Sequence, residues 1–210
     1  MVVRVRLTER DFEILREVER FRFCLGRHIK VIANFTGARA CDRRLRDLLD
    51  AGYLERKKII YGIPSLYFVT AKGKTLIGKR ARSDNIRIDK IQHEITVLDT
   101  VCFFMQNHNM KSADFITERQ LYSENGFNAR KHYPDLIFSR DNVNSCVEIE
   151  LSVKDRARFE KNLQENFMAY DKQIWIVSET EYKIRQYLSD NADSYPNIEI
   201  IDLEVIKNYG

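Results

Sequence analysis

The sequence predicts an α+β protein of two domains, and three observations predict it. Charge is divided unevenly: residues 1–90 hold 22 Lys+Arg against 11 Asp+Glu, while residues 91–210 hold 13 against 20. The first half reads as three helices, a two-stranded hairpin and a further helix. The second reads as a helix, three strands, a helix and a strand, in αβββαβ order. The polar stretch Arg82–Arg87 separates them, giving expected domains of residues 1–87 and 88–210.

Composition narrows the class further. With 44% hydrophobic and 31% charged residues, the chain has the make-up of an ordinary globular protein. Only 8 Gly and 3 Pro argue against a long disordered linker. No apolar run approaches the roughly 18 residues of a membrane span, and no signal peptide opens the chain, so a cytoplasmic location is expected. Cys24, Cys41, Cys102 and Cys146 form no CxxC and stand at no zinc-finger spacing from a histidine, which predicts buried free thiols. The absence of a Gly-rich phosphate loop speaks against a P-loop nucleotide hydrolase.

The elements follow in order. Thr8 is the expected N-cap of a first helix, with acidic residues in its first turn and Phe12, Ile14, Leu15, Val18 and Phe21 at near-helical spacing. A second helix fits Leu25–Ala33 with Ile29 and Ile32 inward, and Asn34–Gly37 breaks the pattern. A third runs over Ala38–Asp50 and stops at Gly52, which suits a left-handed C-cap. Leu54–Ile60 and Ser65–Thr70 are strand-like around Tyr61-Gly62-Ile63-Pro64, and a helix begins near Ala71.

The third helix carries the functional signal. Cys41, Leu45, Leu48 and Leu49 make one apolar stripe, while Arg39, Arg43 and Arg46 lie opposite with Arg44 between. A helix that buries one stripe and presents guanidinium groups on the other suits a DNA major groove. The plain alternative is a solvated face with pairs such as Arg43 and Asp47. Basic residues on the hairpin (Arg56, Lys57, Lys58) and on the following helix (Lys72, Lys74) favour double-stranded DNA. The order of elements is that of a winged helix-turn-helix.

The segment "LRDLLDAGYLERKK…SLYFVTAKGKTLIG" resembles the winged-helix part of the replication-relaxation family, associated with plasmids and integrated mobile elements. The shared features are the exit of the third helix and the "YxxTxxG" run from Tyr67 to Gly73.

In the second half a helix is expected over Ile88–Gln106, with Ile91, Ile95, Leu98, Val101, Cys102 and Met105 as its buried stripe. Strands are expected at Ala113–Thr117, Leu136–Phe138 and Ser145–Leu151, a helix at Lys154–Phe167, and a strand at Gln173–Val177. A helix near Glu179–Ser189 and a strand near Ile198–Ile201 complete the order.

Pro134-Asp135 and Glu148-Ile149-Glu150 resemble the PD-(D/E)xK nuclease-like fold, and replication-relaxation proteins look similar here too. Glu148 and Glu150 are two apart on a strand, so they share a face, with Asp135 expected from the neighbouring strand. Carboxylates so placed repel unless a hard cation such as Mg²⁺ lies between them, where it could activate water for attack on phosphate. Glu94 is a candidate fourth ligand. Glu150 stands where the nuclease pattern has Lys, and Lys154 or Lys161 could supply the charge from elsewhere. The opposing expectation is a scaffold without catalysis, binding no cofactor.

Ser152 is expected to cap a helix, Trp175 and Ile176 to lie in a core strand, and His28 and His132 to sit at the surface. The leading reading is therefore a DNA-binding accessory or regulatory protein of a mobile element, acting as a homodimer, with replication or mobilisation proteins as candidate partners. The alternatives are a metal-dependent endonuclease using Asp135, Glu148, Glu150 and Lys154, and a protein-interaction module for an acidic partner.

Overall fold

A computed structural model describes residues 5–81, 86–126, 131–152 and 155–209. The chain is α+β, with helices and two separate sheets, and it divides into two compact units between Gln106 and Asn107. The division falls later than the 87/88 boundary expected from the polar stretch. No helix among the described residues is long and apolar enough to cross a membrane.

The first unit holds α1 (Glu9–Arg20), α2 (Gly26–Ile32), α3 (Ala38–Asp50), β1 (Leu54–Lys57), β2 (Leu66–Val69), α4 (Ala71–Leu76) and all but the last two residues of α5 (Ile91–His108). Thr8 opens α1 as expected: its amide and hydroxyl donate to Asp11 Oδ2 at 2.6 and 2.8 Å. Ile14, Leu15 and Val18 of α1 are buried, as is the Cys41, Leu45 and Leu48 stripe of α3. Each large aliphatic side chain so buried contributes about 1.5–3 kcal/mol. Helix α3 ends at Gly52, whose φ of 73° lets the Tyr53 amide reach back to the Leu48 carbonyl at 2.9 Å.

Strands β1 and β2 pair antiparallel from Leu54↔Val69 to Lys57↔Leu66. Strand β1 stops three residues short of Ile60, where Lys58 turns its ammonium onto the Ile63 carbonyl and helps close the loop. The T-x-x-G run after β2 has a local cause. The Thr70 hydroxyl accepts from the Gly73 amide at 3.1 Å and donates to the Gly52 carbonyl at 2.7 Å. A Cβ on Gly73 would lie 2.4 Å from the Tyr53 carbonyl oxygen and 2.6 Å from Val69 Cγ1. Only glycine lets α4 start this close to the α3 exit.

The second unit holds β3 (Phe115–Thr117), α6 (Glu118–Asn125), β4 (Leu136–Arg140), β5 (Val143–Glu150), α7 (Arg156–Ala169), β6 (Lys172–Val177), α8 (Tyr182–Asp190), β7 (Ile198–Asp202) and α9 (Leu203–Lys207). Its sheet runs β3-β4-β5-β6-β7, antiparallel as far as β5 and parallel beyond, with α7 and α8 as the crossovers. Phe159 and Leu163 of α7, Trp175 and Val177 of β6, and Ile184 and Leu188 of α8 close the core on one face, with Phe159 and Trp175 ring centroids 4.8 Å apart. Trp175 and Ile176 are core, as expected. All four cysteines are buried and unbridged.

Helices α6 and α9 were not expected. Strands β4 and β5 run longer than expected and meet at Asp141-Asn142, both at positive φ (51° and 63°), as a tight hairpin turn requires. Helix α7 starts at Arg156, capped by Asp155 rather than Ser152: the Asp155 side chain accepts from the Arg158 amide at 3.1 Å.

Candidate nucleic-acid interface and carboxylate cluster

The nine basic residues expected at DNA separate into two groups. Arg39, Arg43 and Arg46 are exposed on α3 opposite its buried stripe, and Arg56 is exposed on β1. No ion pair holds these four among the described residues, so their charge faces solvent.

The other five have structural engagements. Arg44 grips the buried Asp11, with Nε 2.6 Å from Oδ1 and Nη2 on Oδ2, and Nη2 also donates to the Arg6 carbonyl at 2.9 Å. Burial alone would raise the Asp11 carboxyl, but the Arg44 and Thr8 hydrogen bonds outweigh it and hold it below its usual value. Lys74 is buried and pairs with Glu19 at 3.3 Å. Lys72 donates to the Ala51 carbonyl at 2.6 Å and sits 4.3 Å over the Tyr53 ring, securing the end of α3. On the hairpin, Lys57 pairs with Glu55 at 2.5 Å and Lys58 holds the loop.

Helix α5 belongs with this unit, and Asp99 is the reason. Its carboxylate, on a side chain only 4% exposed, accepts from Arg27 Nε and Nη2 at 2.9 Å each and from His28 Nε2 at 2.8 Å. His28 Nδ1 accepts from the Leu25 amide at 3.2 Å, so the imidazole is the neutral tautomer with its proton on Nε2. Glu94 pairs with Arg22 instead of reaching a metal site. His28 is thus fully buried, where a surface position was expected. The one available signal was Asp99 itself, an acid inside an apolar helix that must find donors if buried. Helix α5 is buried without a break from Ile95 to Cys102, where a single stripe was expected.

In the second unit Asp135 precedes β4 and its Oδ2 accepts from the Ile149 amide at 2.8 Å. Glu148 is buried on β5 and its Oε1 accepts from Asn166 Nδ2 of α7 at 2.7 Å and from His132 Nε2. The His132 amide donates to Glu165 at 3.0 Å, and Glu165 pairs with Lys161 at 3.5 Å. Glu150 lies half-buried at the end of β5, two residues along the strand from Glu148. Lys154 lies outside the described residues.

Burial pushes the Glu148 carboxyl above its usual value against the pull of His132. The His132 imidazole, lowered by burial but raised more by Glu148, ends above its ordinary value. His132 is therefore a partner of the buried carboxylate, not the surface residue expected. As arranged, Asp135 and Glu148 each accept a hydrogen bond from protein donors. Among the described residues no three His, Cys, Asp or Glu side chains are placed to hold a metal ion.

Comparison of the chain with known protein families, curated proteins and solved structures finds no match in any of the three.

Proposed function

We propose that the first unit is a winged helix that grips duplex DNA, with α3 as its recognition helix and the β1–β2 hairpin as its wing. The observation that carries this reading is the outward row Arg39, Arg43 and Arg46, opposite the buried stripe of a helix 13 residues long. Guanidinium groups on such a face bind phosphates or guanine edges, and an α-helix fits the major groove. The chain is then a DNA-binding accessory or regulatory protein of the replication-relaxation kind, serving a plasmid or mobile element. It acts as a homodimer on paired half-sites, alongside replication or mobilisation proteins. Sedimentation that gave only monomer at micromolar concentration would remove the dimer from this account.

The second unit serves as a nuclease-like scaffold. Supporting this are the antiparallel-antiparallel-parallel order of β3 to β6, with α7 before β6, and the placement of Asp135 at the head of β4 beside Glu148 on β5. The same placement favours a second reading, a metal-dependent endonuclease using Asp135, Glu148 and Glu150. Plasmid cleavage with Mn²⁺ that Glu148→Ala abolishes would select it.

The test of DNA binding is fluorescence anisotropy of a labelled duplex with the full chain. R39A/R43A/R46A is expected to lose binding, while Lys183→Ala, an exposed change in the second unit, leaves it intact. Equal loss, or equal retention, in both variants refutes the assignment to α3.

A further inference from the structure

Beside α3, the first unit has a cleft of about 460 Å³ between α2, the first half of α3 and the hairpin. Arg27 and Lys30 of α2 and Arg56 of β1 line it, against one acid, Asp42. Ser65 and Tyr67 form part of its wall. Three cations from two separate elements meet Asp42 and, behind Arg27, Asp99, which leaves a net positive charge at a concave site and favours an anion.

The three cations are not equivalent. Arg27 is already oriented: two of its N–H groups lie on Asp99 at 2.9 Å, which fixes the plane of the guanidinium at the cleft before any ligand arrives. Asp99 is in turn held by the buried His28 at 2.8 Å. Lys30 is half-buried and Arg56 exposed, and neither is in an ion pair among the described residues. Leu25, Ala38, Cys41 and Pro64 make the rest of the wall apolar, so the fit to a phosphodiester rests on the three cations and the Ser65 and Tyr67 hydroxyls.

We propose that this cleft clamps a backbone phosphate of the DNA strand whose groove α3 enters. Arg27, Lys30 and Arg56 are its ligands, and Asp99 is a positioning residue acting through Arg27. The inference rests on the DNA-binding reading but adds Arg27 and Lys30, sharing with it only Arg56. It also gives the hairpin a defined role, because Arg56 closes from β1 the clamp that α2 opens.

The experiment is salt-dependent anisotropy of the full chain on a labelled duplex, comparing wild type, K30A/R56A and R39A/R43A/R46A. K30A/R56A is expected to bind at least about tenfold more weakly, with a log–log salt slope shallower by about 2. Its thermal melt should match wild type, because neither residue is in the core. Inorganic phosphate should weaken wild-type binding more than chloride of equal ionic strength, and K30A/R56A should lose that excess.

Wild-type affinity and slope in K30A/R56A overturn the clamp while leaving the α3 reading standing, provided R39A/R43A/R46A still fails to bind. Phosphate competition with an unchanged DNA slope also overturns it, since the cleft would then take a free anion and not the strand. Absence of DNA binding by wild type overturns both readings.

Discussion

Removing the Asp99 carboxylate is expected to destabilise the first unit by about 3 kcal/mol. Asp99→Ala leaves the His28 Nε2–H buried without its acceptor, since the other ring nitrogen is committed to Leu25. An unsatisfied buried donor costs about 1–3 kcal/mol. Arg27, at 44% side-chain exposure, regains water, so its two lost bonds add less than about 1 kcal/mol. A small void adds the remainder. Urea unfolding of the full chain, followed by far-UV circular dichroism, reads the loss. Trp175, the single tryptophan, sits in the second unit and reports separately on it. A loss below about 0.5 kcal/mol would place Asp99 among ordinary surface positions. Strict additivity of His28→Ala and Asp99→Ala would deny their coupling, and either result refutes the reasoning. Acid should act in the same direction as the substitution. Burial lowers the His28 imidazole, so the unfolded chain takes up that proton first as pH falls below about 6.5. Burial raises Asp99, but hydrogen bonds from His28 and Arg27 outweigh it and hold it low, so its contribution persists above the ordinary carboxylate range and is lost as pH falls through its folded value.

Three further outcomes follow from other contacts. Because His132 is raised by Glu148, its contribution is full below about 6.5 and is lost as pH rises through the folded value. The Trp175-monitored urea midpoint should therefore fall with rising pH, and His132→Ala should move that fall down toward the carboxylate range. A midpoint independent of pH in wild type would contradict the pairing. Gly73→Ala forces a Cβ to within 2.4 Å of the Tyr53 carbonyl and should cost about 1–3 kcal/mol of first-unit stability, read by calorimetry; a neutral result would mean that the α3 exit yields freely. Arg44→Ala strips the buried Asp11 of its counter-charge and should cost about 3–5 kcal/mol, in contrast to Arg43→Ala, which should stay within about 0.5 kcal/mol of wild type in the same melt.

Periodicity made α1 and α3 legible, because each buries a stripe at a repeat of about 3.6 residues. What it left open was which arginines remain outside. Arg44 and Arg43 are neighbours in sequence, yet Arg44 lies close enough to the α1 N-terminus to meet Asp11, a tertiary pairing that no local pattern encodes. Lys74 was unreadable for the same reason, its partner Glu19 lying on a helix far away in sequence. Helix α6 had a signal that went unused: Thr117 and Gln120 form a capping box, with the Thr117 amide donating to Gln120 Oε1 at 3.1 Å. The Asp141-Asn142 turn also had one, in two residue types that tolerate positive φ. In the carboxylate cluster, alternation correctly placed Glu148 and Glu150 on one strand. Finding His132 and Asn166 against Glu148 required the β4–β5 register and the seating of α7, which only the assembled sheet supplies.

The most direct test of the central claim is the affinity of the full chain for duplex DNA as a function of salt. If Arg39, Arg43, Arg46 and Arg56 meet phosphates, log affinity should fall linearly with log salt at a slope of about −4 or steeper. R39A/R43A/R46A should lose that binding. Binding that ignores salt, or no binding at low salt, would contradict the account.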